Sequence, residues 1–467
     1  MKYVIFLIDH GMTPYKDIWD INLPGTYILQ ALAIHSIGAS AVAWRLFDFA
    51  LCFVIVVSMI YISVPVHWLA GFAAGSVFFL LHVRDGLMQS GQRDLMMTSL
   101  LFAGTALSFR CLRTGTIRYG TFAGICFGLA AIVKPTAVPI ALLFGAVTGW
   151  RLRRTGKSVA YTVLSAVGFF LPAAASAIYL WRHAALRAFI NLWPLIEYHN
   201  ALGRLPFKEL LFTPVASILY VACLLALPSI VTSSWLRTSE GKVISGSLLL
   251  SCGSYWWQGK GFLYHRYPAA AFLLLLIGIA VAESLTTLKP RWVRITSWLA
   301  VADLVLFVAP VSVVAVSKYE WRNNDFQVSL TRELRSLGAA DGDTQCLDTF
   351  AGCLAALDEI GIRQSSGLLY DCYLFSEPQR PATLLYREHF WSGFRASPPR
   401  LLVMTDNDCF SHELSFDRLK RWGLFADYVD HNYIEILQYT PSRPIVWWRH
   451  PQQPYSYRIY LRRTEER

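Results

Sequence analysis

Two aspartates, Asp17 and Asp20, stand in the stretch from Pro14 to Gly25, just ahead of a long series of apolar runs. Acidic side chains are costly beside a bilayer and are kept there mainly where they have a task. The ordinary alternative is a solvated loop in which Asp20 caps the chain ahead of Pro24 and a helix. A second group, Gly91-Gln92-Arg93-Asp94, lies where a polar loop enters an apolar run. Asp94 suits a helix N-terminus, where the dipole favours a carboxylate, but Arg93 beside it suits a phosphate. Lys134, followed by Pro135, interrupts the apolar run from Tyr119 to Trp150. Such a lysine either snorkels to the interface or meets an anion inside the bundle. Lys260, His265 and Arg266 gather among Trp256, Trp257, Tyr264 and Tyr267. An aromatic belt accounts for the rings but not for the histidine flanked by cations, which suits an anionic group or a metal-bridged phosphate. A lone histidine is weak evidence for metal, so a divalent metal ion is a cofactor these residues leave open.

Carboxylates, cations and aromatics at one membrane face describe a site for an anionic lipid head group beside a general base. A carboxylate would deprotonate an acceptor hydroxyl while Lys and Arg stabilise a departing lipid phosphate. The sequence has no Walker-type or Rossmann fingerprint, so a nucleotide donor is not indicated. In the polar C-terminal part, Asp406 and Asp408 follow a strand-like run, a place where α/β sheets often hold ligand residues, although loop capping explains them more simply. Arg443, Arg449, Arg458, Arg462 and Arg463 read as a basic surface near lipid head groups.

The elements that must position these residues are mostly membrane helices. Of the 467 residues, 55% are hydrophobic and 16% charged, beyond what a soluble core uses. Ten candidate spans fall near 42–63, 66–83, 94–112, 119–133, 136–150, 158–181, 209–232, 243–257, 266–285 and 293–317, each near the length that crosses ~30 Å of hydrocarbon. The net charge of +11 resides in short loops, not on one face or arm, which argues for topology and against nucleic acid. Loops with Arg110, Arg113 and Arg118, with Arg151, Arg153, Arg154 and Lys157, with Arg237 and Lys242, and with Lys289, Arg291 and Arg294 are the most basic. By the positive-inside rule they are cytoplasmic. Counting outward puts the candidate site residues and everything after about 318 on the other side of the cell (inner) membrane. The expected divisions are 1–41, a first outer loop whose segment Thr26 to Gly38 is an interfacial helix; 42–317, the membrane domain; and 318–467, an extracytoplasmic α/β domain. In that last domain the strand-like runs are Arg400 to Thr405, Tyr433 to Tyr439 and Tyr455 to Leu461, and the helix-like runs are Ala351 to Ile360 and His412 to Trp422. Cys52, Cys111, Cys126, Cys223 and Cys252 lie in or beside apolar runs and read as small hydrophobes. Cys346, Cys353, Cys372 and Cys409 have no zinc spacing and are candidates for a disulfide on an oxidising side.

The chain resembles the GT-C superfamily of glycosyltransferases, in the branch of bacterial proteins similar to protein O-mannosyltransferases and the lipid A aminoarabinose transferase. The resemblance covers roughly residues 3–285 and rests on Gly11 to Asp20 with Pro24 to Tyr27, Trp44-Arg45-Leu46, Gly91 to Asp94, Gly128 to Pro135, and Tyr264 to Pro268. It implies transfer of a hexosyl or pentosyl unit from a polyprenyl-phosphate donor to an extracytoplasmic glycolipid, glycan or protein acceptor, usually with inversion. It implies an acid in the first outer loop that acts as base or organises the acceptor, and Asp94, Lys134 and His265 lining the donor site. With the residues themselves, this makes Asp20 and Asp94, and Asp17 as a substitute, the expected acid/base or acceptor-positioning groups, and Arg45, Arg93, Lys134, Lys260 and His265 the expected contacts of the donor phosphate. Two departures stand out. The acidic residue that opens the first outer loop in relatives would fall upstream of Met1, together with the helix before it, so the chain is expected to be incomplete at its start. Asn22 and Leu23 replace the Lys and first Pro of the family's loop. A non-catalytic binding protein or transporter for lipid-linked glycans would use the same cations without a base; an ion-coupled transporter is less in keeping with charges gathered at one face.

Overall fold

The computed structural model describes residues 2–86, 89–212, 214–318, 325–377, 379–408, 414–441 and 455–463. Cys409, Arg443, Arg449 and the start of the run from His412 lie outside them. The chain divides into two compact bodies: Asn22–Tyr179 with Arg204–Tyr319, and Met1–Ile21 with Leu180–Gly203 and Glu320–Arg467.

The first body is helical. Each of the ten apolar segments contains a helix, for example Ala41–Ser63, Trp68–Asp85, Arg93–Thr114 and Arg118–Val133. Among the described residues, six helical stretches combine the length and hydropathy needed to cross a membrane: Ala41–Ser63, Arg93–Thr114, Pro135–Thr155, Ser158–Arg182, Leu263–Thr286 and Arg291–Pro310. Of the others, Arg118–Val133 is shorter, at 16 residues. One continuous core of buried Leu, Ile, Val, Ala and Phe runs from Ala33 to Val308. Many outward positions are apolar as well, including Phe53 (68% exposed), Phe170 (64%) and Leu249 (72%), as expected of helices whose outer face meets lipid.

Local signals set the helix ends. The Ser40 hydroxyl accepts from the Ala43 N–H at the start of Ala41–Ser63, an N-cap. Lys134 is extended (φ −155°, ψ 123°), as a residue before proline prefers, and this breaks the long apolar run into Arg118–Val133 and Val138–Leu152. The expected segment Thr26 to Gly38 is the helix Pro24–Ile37. It lies against the end of Arg118–Val133: a Cβ on Gly25 would come within 2.7 Å of the Ile132 and Val133 backbone, so the approach needs glycine.

The second body holds a four-stranded sheet of β1 (Thr344–Leu347), β2 (Leu401–Thr405), β3 (Tyr433–Tyr439) and β4 (Tyr457–Arg462), in the order β1-β2-β4-β3. β1 runs parallel to β2, and the other pairings are antiparallel. β1 and β2 are buried throughout. The expected α/β character and three of the strands are present; β1 is the additional strand. The run from Ala351 gives the helix Cys353–Ile360, whereas the described part of the run to Trp422 is a 3-10 turn, Phe416–Arg421, ahead of the helix Gly423–Asn432.

The N-terminal residues belong to this sheet body. Lys2–Asp9 is a helix, fastened by the Lys2–Asp358 ion pair (2.7 Å) and by Tyr3, whose hydroxyl donates to Ile362 O and accepts from Gln364 N–H. The Trp19 N–H donates to Gly367 O (2.9 Å).

Candidate functional site

In the helical body, Asp94 occupies the first turn of Arg93–Thr114 and is fully buried. Lys134, in the turn after Arg118–Val133, donates to both of its oxygens at 2.8 and 2.9 Å. A buried charge needs such a partner. The pair is not isolated. Lys260, buried in the loop after Ser239–Gln258, lies within reach of the positive charges of Arg93, Lys134 and Arg204. Burial, followed by these three cations, holds the Lys260 ammonium down to about 7, because both effects disfavour adding another positive charge. Tyr264 is close enough to feel Arg93 and Asp94, and the buried His265 ring meets the Tyr264 and Phe262 rings edge-on at 4.7 and 5.3 Å. Of the expected donor residues, Arg93, Lys134 and Lys260 are therefore drawn together with Asp94. His265 adjoins them in sequence and packing, and Arg45, half-buried on Ala41–Ser63, feels the charge of Asp48. Arg204, which sequence reasoning misses, completes the cluster; its side chain is anchored on Trp257 O at 2.7 Å.

A second network frames this cluster. His82 donates or accepts at both ring nitrogens, with Asp48 at 2.8 Å and the Tyr267 hydroxyl at 2.9 Å. The other Asp48 oxygen accepts the Gly91 N–H at 2.9 Å. Arg266 donates to both oxygens of Asp85 at 2.8 and 3.1 Å. All of these side chains are buried. Gly91 lies two residues before Arg93, and Tyr267 and Arg266 directly follow His265, so the network ties together the two segments that present the cations. Asp48, His82 and Asp85 also escape sequence reasoning. Their only signal is a polar residue inside an apolar run, and their partners lie far along the chain, 185 positions away for His82 and Tyr267.

The acidic candidates of the first loop belong to the sheet body. Asp20 is buried and accepts from the Tyr370 hydroxyl at 2.8 Å. Asp17 is exposed and accepts from the Thr13 N–H at 2.8 Å. Next to Asp20, Trp19 stacks on His389 with ring centres 3.9 Å apart. Asp406 and Asp408 serve the fold: Asp406 accepts from the Ser456 N–H (2.9 Å) and Asp408 pairs with Arg421 (2.7 Å). Arg458 lies over the Phe416 ring at 4.2 Å, and Arg462 and Arg463 donate to the carbonyls of Pro398 and Tyr433. Cys346 and Cys353 form a disulfide. Among the described residues no cluster of three or more His, Cys, Asp or Glu side chains could hold a metal ion.

No protein-family model matches the sequence, and no curated protein does either. Solved structures do match. ArnT from Cupriavidus metallidurans, bound to undecaprenyl phosphate, is similar with a TM-score of 0.54 and 12% identity, over 100% of this chain and 92% of that one. The Archaeoglobus fulgidus oligosaccharyltransferase tethered to an acceptor peptide gives 0.49 and 10% over 100% and 71%. The mycobacterial arabinofuranosyltransferase AftD gives 0.48 and 13% over 98% and 41%. The likeness to ArnT, nearly complete for both chains, shows the architecture: the chain has the fold of the GT-C glycosyltransferases.

Proposed function

We propose that this protein is a membrane glycosyltransferase that moves a sugar from a polyprenyl-phosphate donor to an acceptor hydroxyl outside the cytoplasm. The observation that carries the reading is the cationic cluster in which buried Lys134 and Lys260 meet half-buried Arg93 and exposed Arg204, in a fold shared with ArnT. Cations gathered at the ends of membrane helices suit the phosphodiester of a lipid-linked sugar and would stabilise the phosphate as it departs. Asp94 fixes Lys134, since both its oxygens are engaged. Asp20 is the carboxylate assigned to deprotonate the acceptor hydroxyl, with Asp17 as its alternative. The acceptor oxygen then bonds to the anomeric carbon as the carbon–oxygen bond to the phosphate breaks. The Cys346–Cys353 disulfide supports an oxidising, extracytoplasmic location for the sheet body. The acceptor class, glycolipid, glycan or protein, is to be read from the products.

One observation favours a second reading, a binding protein or transporter for lipid-linked glycans: the carboxylate in the cationic cluster is occupied by its lysine, and binding alone needs no base. Transfer of label from a polyprenyl-phosphate sugar in membranes containing the protein separates the two. The enzyme reading expects transfer that falls at least ~100-fold in Asp20→Ala, the scale of a lost general base, and also falls in Lys134→Ala. Donor binding without transfer would establish the second reading instead.

A further inference from the structure

The helix Val138–Leu152 begins just after the Lys134 turn and carries a second basic feature at its far end, roughly 20 Å away along its axis. There Ala146, Val147, Trp150, Arg151, Arg154 and Ser239 line a surface cavity of about 370 Å³. The cavity has two chemically different halves. Ala146 and Val147, on the spanning stretch Pro135–Thr155, and Trp150, 67% exposed, form an apolar wall. Arg151 and Arg154, both exposed, with Ser239 form the polar end. The acid next to Ser239 does not neutralise them. Glu240 spends both oxygens on Arg113, at 3.0 and 2.7 Å. Arg153, between the two lining arginines, is not among the lining residues and lies over the Trp150 ring at 4.9 Å.

We propose that this cavity binds the head group of an anionic phospholipid, with Arg151 and Arg154 on the phosphodiester and an acyl chain along Ala146, Val147 and Trp150. Arginine forks match phosphate oxygens, and basic side chains at the membrane border gain from the negative lipid surface. A free phosphate ion would use only the polar end, whereas a phospholipid uses both halves; the apolar wall on a membrane-crossing helix therefore favours the lipid. The loop from Arg151 to Lys157 is among those whose charge assigns them to the cytoplasmic side, so the ligand is a lipid of that leaflet. The site is independent of the donor cluster at the other end of the helix.

Native mass spectrometry of the purified protein, titrated with phosphatidylglycerol or phosphatidylcholine, tests the proposal. One phosphatidylglycerol should remain bound to the unaltered protein, with affinity weakened roughly tenfold or more in Arg151→Ala/Arg154→Ala and by less than about twofold in Arg153→Ala. Ala146→Trp, which fills the apolar half and keeps both arginines, should also weaken lipid binding, and millimolar inorganic phosphate should not displace the lipid. Equal retention of phosphatidylglycerol by the double variant, or equal retention of phosphatidylcholine, would overturn the site. Complete displacement by inorganic phosphate would reduce it to a bare anion site and overturn the lipid assignment.

Discussion

Lys260 is the residue at which the electrostatics of the proposed donor site become measurable. Burial and the neighbouring Arg93, Lys134 and Arg204 bring its titration to about 7, whereas a free lysine titrates near 10.4. Only the ammonium attracts a phosphodiester, whose own single charge does not titrate in this range. Binding of an anion raises the Lys260 value again, so binding takes up a proton at alkaline pH. Donor affinity is thus at its fullest below pH 7 and weakens as the pH rises through it, by about tenfold between pH 6.5 and 8.5 for one such group. Lys260→Arg keeps its charge and should flatten the profile. Equilibrium titrations of a polyprenyl-phosphate sugar across that range provide the check, and a profile equally steep in Lys260→Arg would remove Lys260 from the account.

At the scale of elements, the central question is what holds the loop before Arg93–Thr114 against the turn before Tyr267–Thr286. The Asp48–His82–Tyr267 chain and the Asp48 bond to Gly91 N–H do so. Gly91 has φ +62°, and a Cβ there would meet the Trp44 ring at 2.4 Å. Gly91→Ala should therefore destabilise by about 1–3 kcal/mol, and His82→Ala by about 1–3 kcal/mol, the cost of depriving the buried Asp48 and Tyr267 side chains of a hydrogen-bond partner. Gly11→Ala, at another positive φ but with open space around it, should cost less than either. Thermal unfolding of the three variants measures this order, and unchanged melting in both His82→Ala and Gly91→Ala would deny the network its role. The same network marks where sequence reasoning stops. Long apolar runs were enough to show where helices form, and Arg93, Lys134 and Lys260 stood out because cations beside apolar runs are conspicuous. Asp48 and His82 did not, since each is a single polar residue whose partner is supplied by tertiary packing. β1, with four buried residues, is likewise too short for alternation to show. The cysteines read as disulfide candidates did include a bonded pair, Cys346 and Cys353, but spacing alone could not pair them.

The whole molecule joins a GT-C-type helical body with a sheet body that also takes in residues 1–21 and 180–203. That grouping explains why the first loop reads as it does. Its Asp20 is held by Tyr370 from the sheet body's own sequence, a pairing 350 positions apart that no local pattern announces. The claim on which the rest depends is that the cationic cluster receives a lipid phosphate. Binding of undecaprenyl phosphate to the purified protein, compared with Lys134→Ala/Lys260→Ala, tests it most directly. The account predicts an affinity at least ~10-fold weaker in the double variant, the scale of losing charge-assisted contacts to a phosphate. Binding of undecaprenyl phosphate that is the same in both proteins would contradict it.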